Sequence, residues 1–414
     1  MKALLHQESI SARSPWRMLA WLLATQVLVA FVGRSLAPLG VLIGEDLSLT
    51  KAQIGMLPAA LFLGQSLASI PVGFLADRIG SKRLLLMLAV CLGASFMLLT
   101  WTSIFFIVLV MIALGGLGYG AMHPVSNRGI LYWFTAKTRG TAMGIKQMGV
   151  TLGSALAALL LLPLASEWGW RPVLFAASVL LLLTGFLAYV FYHDPPANEQ
   201  AQASGQANRF FVSILNMFCH KPLLLVSLGA IGLSGGQMIL NTYLVLFAYE
   251  KLGISLILSG MLLVISEVSG SFGRVGWGII SDRLFHGKRI IILMLIALFT
   301  AGASLLVAFL PTGTPFWLMV PITVVFGFCN SGFNGIWMNA ATELVPREQS
   351  GMASGFSIML GSWGVIVGPP LFGWIVDSTG TFSSGWLFLT AVMVAVTILL
   401  MYTMMVVKRS YPSA

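Results

Sequence analysis

Charge is nearly absent from stretches of about twenty residues, twelve times over, and that pattern leaves the chain few folds to choose from. A helix needs roughly 20 apolar residues to cross a hydrocarbon core about 30 Å thick. Segments of that kind fall near 18–43, 54–76, 84–102, 104–127, 140–164, 172–192, 223–248, 256–281, 290–310, 315–342, 351–376 and 385–407. Only 9% of the residues are charged and 58% are hydrophobic, against roughly 25% charged in a soluble domain. With a mean hydropathy of +0.93, the outer surface must face lipid. Lipid offers no partner to a bare N–H or C=O, so each segment must satisfy its own backbone as a helix. The expected fold is an all-α, multi-pass membrane protein with twelve transmembrane helices.

The same stretch occurs twice. Gly73-Phe-Leu-Ala-Asp77-Arg78-Ile-Gly80-Ser-Lys82-Arg83 follows the second apolar segment, and Gly278-Ile-Ile-Ser-Asp282-Arg283-Leu-Phe-His-Gly-Lys288-Arg289 follows the eighth. Both place an Asp four residues after a Gly, with a basic pair just beyond, and the two Asp lie 205 residues apart. An internal repeat decides the fold before any local reading does. We therefore expect two six-helix halves related by pseudo-twofold symmetry, residues 1–192 and 222–414, joined by a cytoplasmic linker at 193–221. The polar, Ala-, Gln- and Pro-bearing part of that linker reads as a flexible tether.

Basic residues sort by side. With the N-terminus inside, sixteen Lys and Arg flank the spans on one side, and only Lys51, Arg171 and Lys251 on the other. The excess marks the cytoplasmic face, so both termini and the linker are expected there, in a bacterial inner membrane. The +10 net charge is mostly this sorting, and no basic segment is interleaved with aromatic residues as a nucleic-acid surface would be. No Ala-x-Ala-type cleavage site follows the first span. Cys91, Cys219 and Cys329 have no metal-ligand spacing, and no phosphate-binding Gly loop is present. No nucleophile sits beside a base, so neither an enzyme nor a cofactor nor a metal is expected.

The 6+6 plan, together with the G-x-x-x-D-R-x-G-x-K-R stretch and its echo, resembles the major facilitator superfamily of secondary transporters from about Pro15 to Lys408. Met143-Gly144-Ile-Lys146-Gln147-Met-Gly149-Val-Thr-Leu-Gly153 in the fifth span, and Ser354-Gly355-Phe-Ser-Ile-Met-Leu-Gly361-Ser-Trp-Gly364 in the eleventh, extend the likeness. The resemblance implies transport by alternating access. It also implies a gating role for Gly73, Asp77, Arg78, Arg83, Asp282 and Arg283, with the Asp pairing to the neighbouring half. Neither Asp77 nor Asp282 is expected to touch substrate.

Substrate chemistry must come from ionisable groups inside the spans, which are costly in lipid and face a cavity or a partner. Arg34, Lys146 and Arg274 are the basic candidates, while Arg128 reads as an interfacial anchor; Glu267 and, nearer the cytoplasmic end of its span, Glu343 are the acidic ones. An excess of fixed positive charge favours a small anionic substrate. Glu267 and Arg274 are seven apart and share a helix face. Glu267 or His123 would carry a coupling proton. Tyr119, Gln237, Asn241, Asn330 and Asn334 are the expected polar substrate contacts, with Tyr243, Asn339 and Trp363 as further candidates.

Within the superfamily, a cation in the first span with an acid and an Arg in the eighth resembles monocarboxylate transporters. Their Asp-to-Arg spacing is four, however, and position 270 here is Gly. The first-span Arg and the Gly-Ile-Lys-Gln of the fifth are also similar to anion-symporter and cyanate-permease members. The expectation is a monomeric proton symporter of a small organic anion, a monocarboxylate, with Arg34 and Arg274 binding it from opposite halves. An anion exchanger or an inorganic-anion permease is the alternative, and a drug/proton antiporter or a non-transporting sensor is disfavoured.

Overall fold

The computed structural model describes residues 15–193, 217–346 and 349–410, without the side chains of 69, 70, 73, 74, 76–78, 136, 137, 140, 351, 409 and 410. The side chains of the gating residues Gly73, Asp77 and Arg78 lie outside the described residues, as does most of the linker at 193–221.

Helices account for nearly all of the described chain. In order they are α1 (Pro15–Gly33), α2 (Leu36–Asp46), α3 (Lys51–Ile79), α4 (Ser81–Leu99), α5 (Phe105–Trp133), α6 (Ala136–Leu156), α7 (Leu162–Trp168), α8 (Trp170–Phe191), α9 (Lys221–Glu250), α10 (Leu256–Leu284), α11 (Arg289–Ala308), α12 (Phe316–Asn330), α13 (Asn334–Glu343), α14 (Ser350–Thr379) and α15 (Phe382–Ser410). Three spans are irregular. The first is α1 and α2, the fifth is α6 and α7 joined by a π-helical turn at Ala157–Leu161, and the tenth is α12 and α13. Eleven helical segments are long and apolar enough to cross a bilayer, and the 29-residue α3 is the twelfth long helix. Large side chains such as Trp317 at 79% and Phe309 at 72% exposure stand on the outer surface, which suits lipid and not water.

The break in the first span has a local cause. Ser35 N–H donates to Val32 O at 3.2 Å and the Ser35 hydroxyl donates to the same carbonyl at 2.7 Å, tightening the turn. Pro38 then falls in the first turn of α2, where a helix needs no N–H.

By internal contacts the chain forms two compact units. The first comprises Met1–Ser35, Leu63–Ala157 and Arg171–Ala201, and the second Leu36–Phe62, Ala158–Trp170 and Gln202–Ala414. Two boundaries coincide with irregular backbone: the break at residues 34–35 and the π-helical turn starting at Ala157.

Inside the first unit, small residues bring backbones together, as helix packing in lipid requires. A Cβ at Gly153 of α6 would collide with the Val27 carbonyl of α1. Arg171 donates to Thr100 O at 2.8 Å, Thr102 O at 3.0 Å and Ser103 Oγ at 3.0 Å. It thereby places a cation at the negative end of α4.

Inside the second unit, α9 packs on α14 with Gly364 against the Ile231 carbonyl. The Ser227 hydroxyl donates to Ser357 Oγ at 2.8 Å, which also accepts from Trp337 Nε1 at 2.8 Å. In the repeated loop, Arg289 Nη1 lies 2.5 Å from Asp282 Oδ1 and Arg289 Nε 3.3 Å from Glu343 Oε1. The described partner of Asp282 is seven residues away: left-handed His286 (φ 50°) and Gly287 (φ 80°) reverse the chain and return Arg289 to the end of α10.

Candidate functional site

In the first unit, α1, α5 and α6 bury a cation cluster. Lys146 is 1% exposed. Its Nζ lies 3.1 Å from His123 Nδ1 and 3.3 Å from Asn127 Oδ1. An ammonium can only donate, so His123 accepts at Nδ1 in this contact and carries its own proton at Nε2. Both acceptors are neutral, and no carboxylate stands within ion-pair distance of Lys146 among the described residues. Arg34 occupies the break in the first span, and its Nε donates to Tyr119 OH at 3.2 Å. Gly33 makes that contact possible: a Cβ there would press on the Tyr119 ring at 2.6 Å. The expected residues Arg34, Tyr119, His123 and Lys146 thus fall into two bonded pairs of one compact unit.

Asn127 was not foreseen. It stands four residues after His123, hence one turn along α5 on the same face, and that spacing is the signal that was available. Gln26 is a second addition: it is 1% exposed, its Oε1 has no hydrogen-bond partner among the described residues, and Gly149, one turn from Lys146, packs against it.

In the second unit, Glu267 is also 1% exposed, and its Oε1 accepts from Asn241 Nδ2 at 3.0 Å. Asn334 Nδ2 and Gln237 Oε1 are 3.4 Å apart. Asn330 is fully buried, and neither its Nδ2 nor its Oδ1 has a hydrogen-bond partner among the described residues. The tenth span is broken between Asn330 and Asn334, which strands carbonyls at the end of α12. Donors from α10 meet them: Arg274 Nε donates to Ser331 O at 3.3 Å and Trp277 Nε1 to Phe328 O at 3.1 Å. Arg274, expected as an anion ligand, is thus placed by its Nε beside the broken span that carries Asn330 and Asn334.

The remaining expected residues lie elsewhere. Arg83, Asp282 and Arg283 are exposed, as are Asn339 and, at 56%, Trp363. The Tyr243 hydroxyl lies 2.8 Å from both Lys51 O and Pro369 O.

Comparison with known proteins agrees with this architecture. The family model described as Major Facilitator Superfamily matches residues 22–322 and 286–414. An uncharacterised transporter of that type, Rv2994 of Mycobacterium tuberculosis (strain ATCC 25618 / H37Rv), is 28% identical over 325 residues, covering 76% of this chain and 68% of its own. The hexuronate transporter of Bacillus subtilis (strain 168) is 22% identical over 358 residues, covering 83% and 84%. The probable galactarate/D-glucarate transporter GudP of Escherichia coli (strain K12) is 25% identical over 380 residues, covering 83% of each. Among solved structures, the nucleoside transporter NupG superposes with a TM-score of 0.75 at 16% identity, over 94% of this chain and 99% of that one. With the family model matched across nearly its whole length, the chain belongs to the major facilitator superfamily and is a membrane transporter, not an enzyme.

Proposed function

We propose that the chain carries a small organic anion, a hydroxylated monocarboxylate, together with protons, and that Lys146 meets the carboxylate. The observation behind this reading is the buried ammonium held by two neutral acceptors. A carboxylate arriving there displaces no anion, so its attraction to Lys146 is not offset by breaking an existing ion pair. Arg34, held by Tyr119, adds a second positive field in the same unit. The amides of Gln237, Asn241, Asn330 and Asn334 suit hydroxyl groups, because an amide both donates and accepts, as a hydroxyl does and a carboxylate does not. Relatives named for hexuronate, a hydroxylated monocarboxylate, and for galactarate/D-glucarate, hydroxylated dicarboxylates, support a hydroxylated organic acid, and only the first supports a single carboxylate. Glu267 would take the coupling proton.

Uptake of radiolabelled glucuronate and lactate into proteoliposomes tests this. An inward proton gradient should drive uptake of at least one of them, and Lys146→Met should remove it, by about a hundredfold or more. Glu267→Gln should abolish gradient-driven uptake while leaving exchange against internal substrate. If uptake ignores the gradient and requires an internal anion, the chain is an exchanger. If neither acid nor any other carboxylate is carried, the proposal fails.

A further inference from the structure

Gln26 stands in the interior of α1, and its buried Oε1 has no hydrogen-bond partner among the described residues. A carbonyl oxygen left without a donor at membrane depth is costly. The hydroxyls nearby do not relieve it. Thr25 donates to Trp21 O at 2.9 Å and Thr151 to Met148 O at 3.0 Å, each within its own helix.

Two contacts place Gln26 relative to Lys146, all within the first compact unit. On α6, a Cβ at Gly149 would stand 2.9 Å from Gln26 Cγ, and Gly149 is three residues, about one turn, beyond Lys146. On α5, the Tyr119 ring lies against Gly33 of α1. Gly33 and Gln26 are seven apart and so share a face of α1. Successive spans alternate in direction, so the first runs antiparallel to the fourth. Seven residues back along α1, from Gly33 to Gln26, therefore match the eight forward along α5 from Tyr119 to Asn127. That is the level at which Asn127 Oδ1 accepts from Lys146 Nζ.

A donor and an acceptor thus lie at neighbouring levels. Lys146 can only donate, and Gln26 Oε1 can only accept. A carboxylate suits the first and fails the second, because it has no proton to give. A hydroxyl on the carbon beside the carboxylate supplies that proton. An ammonium on the same carbon would donate too, but the cations Lys146 and Arg34 repel it. In a ring-closed uronic acid that carbon carries an ether oxygen, which again has no proton.

We infer that Gln26 is a specificity-determining residue whose Oε1 accepts the 2-hydroxyl of an open-chain 2-hydroxy acid. The inference rests on the reading of Lys146 as the carboxylate's partner, and it narrows the substrate to that class.

The test measures binding of lactate, propionate, alanine, gluconate and glucuronate to purified full-length protein by calorimetry. The parent should bind lactate about tenfold tighter than propionate or alanine, and gluconate about tenfold tighter than glucuronate. Gln26→Leu should weaken lactate and gluconate by about tenfold and propionate by less than about twofold, so that both preferences collapse. Gln26→Asn, which keeps the carbonyl on a shorter arm, should fall between. Should Gln26→Leu not fold, Gln26→Met replaces it, and the parental preferences are a separate check. Lactate and propionate bound alike by the parent, or all acids weakened equally by Gln26→Leu, overturn the role of Gln26; if Lys146→Met still loses every acid, the carboxylate reading survives. A parent that binds none of the acids, or whose binding withstands Lys146→Met, overturns both.

Discussion

Lys146 and Asn127 make the sharpest statement that single residues allow. Asn127→Asp puts a fixed carboxylate about 3 Å from an ammonium that, in the proposed cycle, awaits the substrate's carboxylate. Buried pairs of this kind are strongly coupled. Asn127→Asp should therefore lose substrate-induced thermal stabilisation and at least tenfold of uptake while melting at or above the parental temperature. Asn127→Ala should retain most of both. A variant that melts lower and still transports would show that Asn127 only packs. Lys146 itself was legible in the sequence, because a basic residue between apolar runs has few reasons to be there. Its partners were not: the contact of α6 with α5 depends on which spans pack together, and neither spacing nor composition encodes that. Arg274 shows the converse. Its position within an apolar span marked it as a group that must face a cavity or a partner, but the Ser331 carbonyl that claims its Nε is free to accept only because the tenth span breaks.

At the scale of helices, hydropathy foretold the spans because lipid accepts only self-satisfied backbone, and it missed the irregularities for the same reason. The breaks at residues 34–35 and 331–333 and the π-helical turn at Ala157–Leu161 are tolerated where other groups take over the freed bonds: the Ser35 hydroxyl at the first break, and Arg274 and Trp277 of α10 at the second. Where helices touch through hydroxyls and glycines, the energetics can be tested. Ser357 accepts from Trp337 Nε1 at 2.8 Å, so Ser357→Ala leaves that buried donor unmatched, while the Ser227 hydroxyl keeps Leu223 O at 2.7 Å. The expected loss is about 1–3 kcal/mol, read as a lower melting temperature in detergent with the substrate profile unchanged. Gly364→Val should be worse, since its added methyls would press on the Ile231 carbonyl and part α9 from α14; overpacking of this kind typically costs about 1–3 kcal/mol and occasionally more.

Across the whole molecule, charge is organised by side, and the exceptions have occupations. Of the three basic residues on the sparse side, Lys51 pairs with Glu250 and Arg171 closes the end of α4. These two answer to local partners, and the expected orientation rests on the sorting of the remaining charges. Orientation in turn decides what an electrochemical gradient can do. A monocarboxylate moving inward with one proton carries no net charge, so a membrane potential, worth about 2.3 kcal/mol per charge per 100 mV, does no work on the pair. A gradient of one pH unit still supplies about 1.4 kcal/mol, or a tenfold accumulation. In proteoliposomes, then, an imposed pH step should drive uptake. A potassium diffusion potential of about 100 mV at equal pH should change the initial rate by less than about twofold. A strong response to potential, inside negative, would mean that more than one proton accompanies each anion. Its dependence on Glu267→Gln and on His123→Gln, each measured alone, would then assign the second proton to one unit or the other.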